Sequence, residues 1–409
     1  MVFKCQSDSF LKEFESRVIS CEKTEVIFTE NGKLVKKDMH AVILEDTILF
    51  PEGGGQPSDH GFFNNIPVKQ VIRKEDKAIH YTEKAFNVGE TVKQIIDWER
   101  RFDHMQQHSG QHLLTAMLEK KYKIPTISWW LGEELSYVEL GAPTISTQQL
   151  KDTEDVINEI IRNGNKVTVQ IFNEDTPEED LKEARSNRGL PNDHKGDKRV
   201  INIDGIDSSL CCGTHVNNLS QLQALKLLHS EKKKNKTLLY FLFGNRVIQR
   251  LNTSIEREQK LTKLLKNNPD EHASLIEKLQ KNVKLLNKNL QSVLKDIALV
   301  QAKRLNETCP TPQYYFYHKS EADPDFMNTF IRELGRSDIF LFLSTGDDKK
   351  DGNIVLYGNE KAVDDLKNLI CDILQGKGAV QGNKFQAKVS KMANLIKAQD
   401  YVIKYFKEE

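Results

Sequence analysis

The chain has 409 residues, of which 38% are hydrophobic and 29% charged, and its 59 Lys plus Arg balance 59 Asp plus Glu. That composition builds the packed cores of two to four domains and excludes both a disordered chain and a global attraction to polyanions, so any nucleic-acid site must be a local basic patch. No run reaches the roughly 20 apolar residues that span a bilayer, the start MVFKCQSDSF has no apolar signal core, and six cysteines in so long a chain fit a reducing, cytoplasmic setting rather than a disulfide framework.

Residues 1–95 read as strands. Ala41-Val42-Ile43-Leu44 and Thr47-Ile48-Leu49-Phe50 are short apolar runs between turn residues, which predicts a small β-barrel or sandwich. A helix is expected over 100–122, carrying Phe102, Met105, Leu113, Met117 and Leu118. SWWL (128–131) and LSYVEL (135–140) are strand-like, with Gly-Glu-Glu between them as a hairpin turn. Thr147 is a candidate cap for a helix bearing Leu150, Val156, Ile157, Ile160 and Ile161, which Gly164 ends, and VTVQIF (167–172) alternates like a strand. Such a mixed order, without regular βαβ repeats, gives the α+β class.

From residue 250 the texture changes. Ile276, Leu279, Val283, Leu286, Leu290, Val293, Ile297 and Val300 follow an unbroken 3-4 spacing, the seam of a coiled coil about 37 Å long. Asn268-Pro269 separates it from a shorter amphipathic stretch with Leu251, Ile255, Leu261 and Leu265. The seam can be covered within the chain, as a helical hairpin, or by a second subunit through 276–300 or the C-terminal domain, and the pattern leaves both open. Residues 313–409 read as a separate α/β domain: strands at YYFYH, IFLFLS (339–344) and IVLY (354–357), helices over 324–335 and 360–374, then GKGAVQGNKFQAK (376–388), a glycine-rich basic loop.

RFDHMQQHSGQHLL (101–114) sets histidines four apart on one helix face, a spacing of about 5–6 Å at Cβ. His108 and His112 can pinch one metal ion, but two protein ligands rarely suffice. SSLCCGTHV (208–216) supplies the rest: Cys211 and His215 are again four apart, with Gly213 permitting close backbone approach. Three nitrogens and one thiolate are a donor set suited to one Zn2+. His104 is left over as a structural residue or one supporting the ligands. A zinc-protease motif is a poor match, since Ser109 stands where the glutamate base would be.

HMQQHSGQHLL followed by CCGTH resembles the editing domain shared by alanyl-tRNA synthetases and free-standing alanyl-tRNA editing proteins. Its usual C-x-G-T-H is kept as Cys211, Gly213, Thr214 and His215. PEGGGQPSDHG (51–61) resembles the family's G-G-G-Q followed by D-x-G, and SWWLGEELSYVEL (128–140) and GDKRVINIDGIDSS (196–209) are also similar. The resemblance is strong over 40–250. It is weaker over 250–409, where the helical region and GKGAVQG resemble the synthetase's C-terminal part with fewer glycines, so the nearest form is the long free-standing protein. It implies four segments: a barrel over 1–95 with the GGGQ loop, a zinc-dependent editing domain over 96–250, a helical or coiled-coil linker over 251–309, and a C-terminal α/β domain over 310–409. It further implies a hydrolase that deacylates tRNA(Ala) mischarged with serine or glycine, in trans and without an aminoacylation core. Metal ligands would be His108, His112, Cys211 and His215, and tRNA contacts Gly54, Gly55, Gln56, Lys233, Lys234, Arg246, Lys377 and Lys384. Four protein ligands fill a tetrahedral shell, so water activation and substrate positioning both stay open, and no general base is assigned. The competing reading is an RNA-binding or oligomeric scaffold with a structural zinc and no turnover.

Overall fold

The computed structural model describes residues 2–408 apart from 31–32, 174, 178–183 and 185–195. Their contacts fall into two units, Met1–Lys260 and Leu261–Glu409. The structure is mixed α and β, with several sheets. No helix among the described residues is long and apolar enough to cross a membrane.

In the first unit a one-turn helix α1 (Lys4–Ser7) precedes strands β1 (Glu13–Glu30), β2 (Lys33–Leu44), β3 (Gly61–Phe63), β4 (Ile66–Lys74), β5 (Lys77–Thr82) and β6 (Thr91–Ile96). They close into a barrel in the order β1-β2-β5-β4-β3-β6. Alternation along the strands turns Val42, Phe63, Val68, Val71, Ala78, Val92 and Ile96 inward as its core. The run Thr47–Phe50, expected as a strand, is buried but irregular. Side chains replace ladder partners there: the N–H of Ile48 donates to Gln94 Oε1 (3.0 Å), that of Leu49 to Thr47 Oγ1 (3.0 Å), and that of Phe50 to Asp59 Oδ2 (2.7 Å). An apolar run reports burial, and any satisfied backbone geometry can bury it. His80 sits fully buried in the same network. The Val42 carbonyl can only accept, so Nδ1 carries the proton (3.1 Å), while Nε2 faces Thr47 Oγ1 at 2.8 Å. Burial pushes the His80 pKa down to about 4.

Helix α2 (Trp98–Tyr122) follows the barrel directly, with the Asp97 carboxylate capping it by accepting from the Arg100 N–H at 3.1 Å. Arg101, fully buried, joins helix to barrel. Its guanidinium pairs with Asp59 and donates to the Ser9 carbonyl at 3.0 Å and to the Ile48 carbonyl. Burial alone would lower the Arg101 pKa, and the Asp59 carboxylate more than reverses it. Beyond α2 come the hairpin β7 (Thr126–Leu131) and β8 (Ser136–Leu140), helix α3 (Thr147–Asn163), strands β9 (Val167–Phe172), β10 (Lys198–Ile203), β11 (Asp207–Leu210), β12 (Leu225–Lys233) and β13 (Lys236–Phe243), and helix α4 (Asn245–Leu265). They form sheets ordered β11-β10-β9 and β12-β13-β8-β7. Ser146, not Thr147, caps α3, in a reciprocal box with Gln149.

The second unit contains α5 (His272–Glu307), β14 (Tyr314–Lys319), α6 (Pro324–Leu334), β15 (Phe340–Gly346), β16 (Gly352–Tyr357), α7 (Glu360–Leu374), β17 (Gly376–Gln381), β18 (Lys384–Val389) and α8 (Leu395–Glu408). Its sheet, β14-β15-β16-β18-β17, is covered on both faces: α5 and α6 pack on one core, α7 and α8 on another. The segment expected as a glycine-rich loop is the hairpin β17–β18. Phe385, Ala387 and Val389 alternate inward along it, a period-2 signal that the glycines of 376–382 mask. Helix α5 buries Leu294, Ala298, Ala302 and Leu305 rather than the heptad seam, and Ile276, Leu279, Val283, Leu286, Leu290 and Val293 are 38–65% exposed.

Two expectations follow. Asp59→Ala strands the Arg101 charge in the interior, and urea unfolding of the first unit is expected to show a loss of about 3–5 kcal/mol. His80 gains its proton more readily in the unfolded chain than in the folded one. Its contribution is therefore full above about pH 6.5, declines as pH falls, and is lost below about pH 4, a swing of about 3 kcal/mol. The urea midpoint of His80→Gln, measured over that window, should fall less steeply with acid than that of the parent chain.

Candidate metal centre

Over residues 104–116 helix α2 is buried on every side, although most of those residues are polar. His108 and His112, one turn apart, have ring centroids 5.2 Å from each other. Strand β11 delivers the chain to Cys211, and the loop after it brings His215 back over the helix. Its ring lies 4.6 Å from that of His108 and 4.8 Å from that of His112. Cys211 Sγ is 3.4 Å from His108 Nε2 and 3.2 Å from His215 Nε2. One donor atom from each of His108, His112, Cys211 and His215 lies within 4.8 Å of every other, and all four residues are buried. Three imidazole nitrogens and a sulfur converging in so small a volume fit one metal ion.

Each imidazole is held from behind. Gln56 Oε1 accepts from His108 Nδ1 at 2.8 Å, leaving the Nε2 lone pair for the cluster. Gln56 is fixed in turn by Thr214, whose N–H donates to Oε1 (3.0 Å) and whose hydroxyl accepts from Nε2 (2.8 Å). Ser209 Oγ lies 2.7 Å from His112 Nδ1, and Ser109 Oγ 3.0 Å from His215 Nδ1. Burial, reinforced by His108, His112 and Arg199, holds His215 well below the usual imidazole range, so the ring is neutral, the form a metal requires. Arg199 is buried on β10 and donates to the carbonyls of Cys211 (2.9 Å) and Gly213 (2.7 Å). It sets the loop's path and places a positive charge beside the sulfur. A Cβ at Gly213 would stand 2.2 Å from His108 and 2.9 Å from Gln56, so the tight return demands glycine.

The other sequence-derived positions are dispersed. Gly54 and Gly55 (φ 60° and 83°) turn over the centre, closed by paired Gly53–Gln56 backbone hydrogen bonds of 3.1 and 3.0 Å. Gly54 O accepts from the Trp129 indole at 3.0 Å, and Gly55 O from the Leu131 N–H at 3.3 Å. Gln56 points inward, to His108, rather than outward. Arg246 is buried and clamps Asp103 through two hydrogen bonds of 2.8 and 2.6 Å. Lys233 and Lys234 are exposed at the β12–β13 tip. Lys377 is exposed on β17 and Lys384 bonds Asn328, both within the second unit. His104 is not in the cluster. It lines a cavity of about 560 Å³ with Trp98, Arg100, Glu133 and Arg246, and its Nδ1 has no hydrogen-bond partner among the described residues. Burial, with Arg100, Arg246 and Arg101 nearby, pushes its pKa down to about 2. Sequence reasoning missed Ser109, Ser209, Thr214 and Arg199 as supports. The available signal was the polar density of QQHSGQH on a helix that also carries Leu113 and Leu114.

The family model for the threonyl and alanyl tRNA synthetase second additional domain matches residues 199–239, which begin at Arg199 and contain both Cys211 and His215. Among curated proteins, the chain is 43% identical to alanyl-tRNA editing protein Aarsd1-A of Xenopus laevis over 96% of this chain and 95% of that one. It is 43% identical to alanyl-tRNA editing protein Aarsd1 of Mus musculus over the whole of both. The putative alanyl-tRNA editing protein alaX of Saccharomyces cerevisiae is 29% identical over 95% of this chain and 93% of its own. Similarity at this level along the full length, with the converging ligands inside it, places the chain in the family of alanyl-tRNA editing proteins.

Proposed function

We propose that this chain is a trans-acting deacylase that hydrolyses the ester of mischarged tRNA(Ala), chiefly with serine and also with glycine, at a zinc centre of His108, His112, Cys211 and His215. The need is physical. A pocket for alanine separates amino acids that differ by one methyl or one hydroxyl by only about 10- to 200-fold, and a second hydrolytic site restores fidelity. The carrying observation is the buried four-donor cluster beneath the Gly53–Gln56 turn, in a chain whose relatives bear the editing name.

Held by His108, His112, Cys211 and His215, zinc would supply Lewis-acid chemistry, polarising an ester carbonyl or easing deprotonation of water. The protein does the rest. Gln56, Ser209 and Ser109 fix the rotation of the three imidazoles, and Arg199 holds the Cys211–Gly213 loop against them. Gly54 and Gly55 present bare backbone above His108, where an aminoacyl ribose can approach closely, and Lys233 and Lys234 meet phosphate. The segments 1–95, 96–250, 251–309 and 310–409 divide the work into barrel, editing domain, helical linker and C-terminal module, and the last brings Lys377 and Lys384 to the tRNA body. The exposed seam of α5 serves self-association. A reducing cytoplasm fits six free cysteines, one of them a ligand.

Purified protein should release serine from Ser-tRNA(Ala). His108→Ala combined with His112→Ala should lose zinc and slow ester loss at least about 100-fold. Undiminished turnover in that variant would remove the metal-centred chemistry; a parent chain with zinc but no activity on any mischarged tRNA would leave a scaffold. Gln56→Ala removes only the His108 support, so zinc affinity should drop about 10- to 100-fold. A chelator competition reads that directly, and excess zinc should restore the activity.

A further inference from the structure

The solvent face of the β12-β13-β8-β7 sheet carries a ladder of aromatic rings. Trp130, Tyr137 and Tyr240 are direct cross-strand partners and therefore share one face. Ring centroids step 5.9 Å from Trp130 to Tyr137 and 5.6 Å from Tyr137 to Tyr240, and His229 stacks on Tyr240 at 4.5 Å and 14°. The opposite face, with Val138, Leu140, Leu239 and Phe241, is the buried one. Cross-strand aromatic pairs also stabilise sheets. These rings do little shielding, however: Trp130 is 53% exposed, and the His229 side chain 54%.

Two further features select an occupant. The ladder's far edge leads, past Glu231, which accepts from the Tyr240 hydroxyl at 3.3 Å and faces His229 Nε2 at 3.4 Å, to the β12–β13 tip, where Lys232, Lys233 and Lys234 are exposed. At its near edge, strand β7 is tied to the turn over the four-donor cluster: the Trp129 indole, on the opposite face from Trp130, donates to the Gly54 carbonyl, and the Leu131 N–H donates to that of Gly55. Stacking surfaces beside cations recognise unpaired nucleic acid, because every base has a π-face and every linkage a negative charge.

We propose that this face is a stacking platform for two or three unpaired RNA nucleotides, with the hairpin lysines on their phosphates. That these nucleotides adjoin the aminoacylated 3′ end of tRNA rests on the editing reading; the recognition of unpaired RNA does not. The full chain should bind a short RNA ending in CCA with quenching of tryptophan fluorescence, and bind blunt duplex RNA more weakly. Trp130→Leu and Tyr240→Leu should each weaken binding about 5- to 100-fold. Trp130→Phe should restore most of it, and the combined Lys233→Ala and Lys234→Ala change should flatten the salt dependence. Zinc content and melting temperature equal to the parent's certify each fold, and His229→Leu, at an exposed ring, tests the ladder if a strand variant does not fold. Affinity unchanged by the leucine variants, or equal affinity for duplex, overturns the platform. A chain that binds the RNA through these rings yet deacylates nothing overturns the editing reading and leaves the platform standing.

Discussion

Over residues 104–116 helix α2 is buried all round while carrying histidines, glutamines and a serine, and a buried polar group without a partner costs about 1–3 kcal/mol. That constraint organises the first unit. Gln107 exchanges hydrogen bonds of 2.9 and 3.0 Å with the Phe243 backbone, and Gln106 donates to the Gln221 carbonyl at 2.7 Å. His108 draws in Gln56 of the barrel, His112 draws in Ser209 of β11, and Ser109 draws in His215. The partners lie between residues 56 and 243, so satisfying one helix gathers the barrel, the three-stranded sheet and the four-stranded sheet around it. The candidate metal centre is the part of this network in which one donor atom from each of His108, His112, Cys211 and His215 converges.

The barrel contributes through two rigid connections. Asp59 and Arg101 pin the irregular segment at Thr47–Phe50 to the first turns of α2. Three residues earlier, Gln56 reaches the same helix two turns on, and the Gly53–Gln56 turn is tied to β7 by Trp129 and Leu131. A loop held at both ends can present glycine backbone above His108 without the motion that glycine otherwise permits. The barrel therefore acts less as a separate domain than as the wall of the site.

How much of this was legible in the sequence depends on range. His108 with His112, and Cys211 with His215, could be read because a spacing of four is a local geometry, and their mutual convergence followed from ligand counting. The supports could not: a glutamine 52 positions from its histidine leaves no periodic trace, and the serines at 109 and 209 are unremarkable until their neighbours are known. Hydrophobic runs reported burial faithfully but conformation poorly, as Thr47–Phe50 shows. Glycines misled in the opposite direction at 376–382, where three of them in seven residues hid a strand whose partner alternates clearly. The 276–300 seam was visible as a pattern, yet the second unit uses Leu294, Ala298, Ala302 and Leu305, a stripe displaced from it, to build its core.

The charge balance of the centre follows from the same burial. Burial holds His215 well below the usual imidazole range, so that ring brings a lone pair but no charge, and Cys211 is the one residue of the four that can bring a negative charge. Arg199 is itself buried and anchored by the backbone carbonyls of Gln6, Cys211 and Gly213. Burial is the largest influence on it and lowers its pKa, while Cys211 and Cys212 oppose that shift. An arginine so placed holds the loop's shape through the carbonyls of Cys211 and Gly213. Imidazole orientation and loop path are thus set by different residues, the first by Gln56, Ser109 and Ser209 and the second by Arg199, so a change at one of these positions should disturb the centre in a way that a change at the other does not.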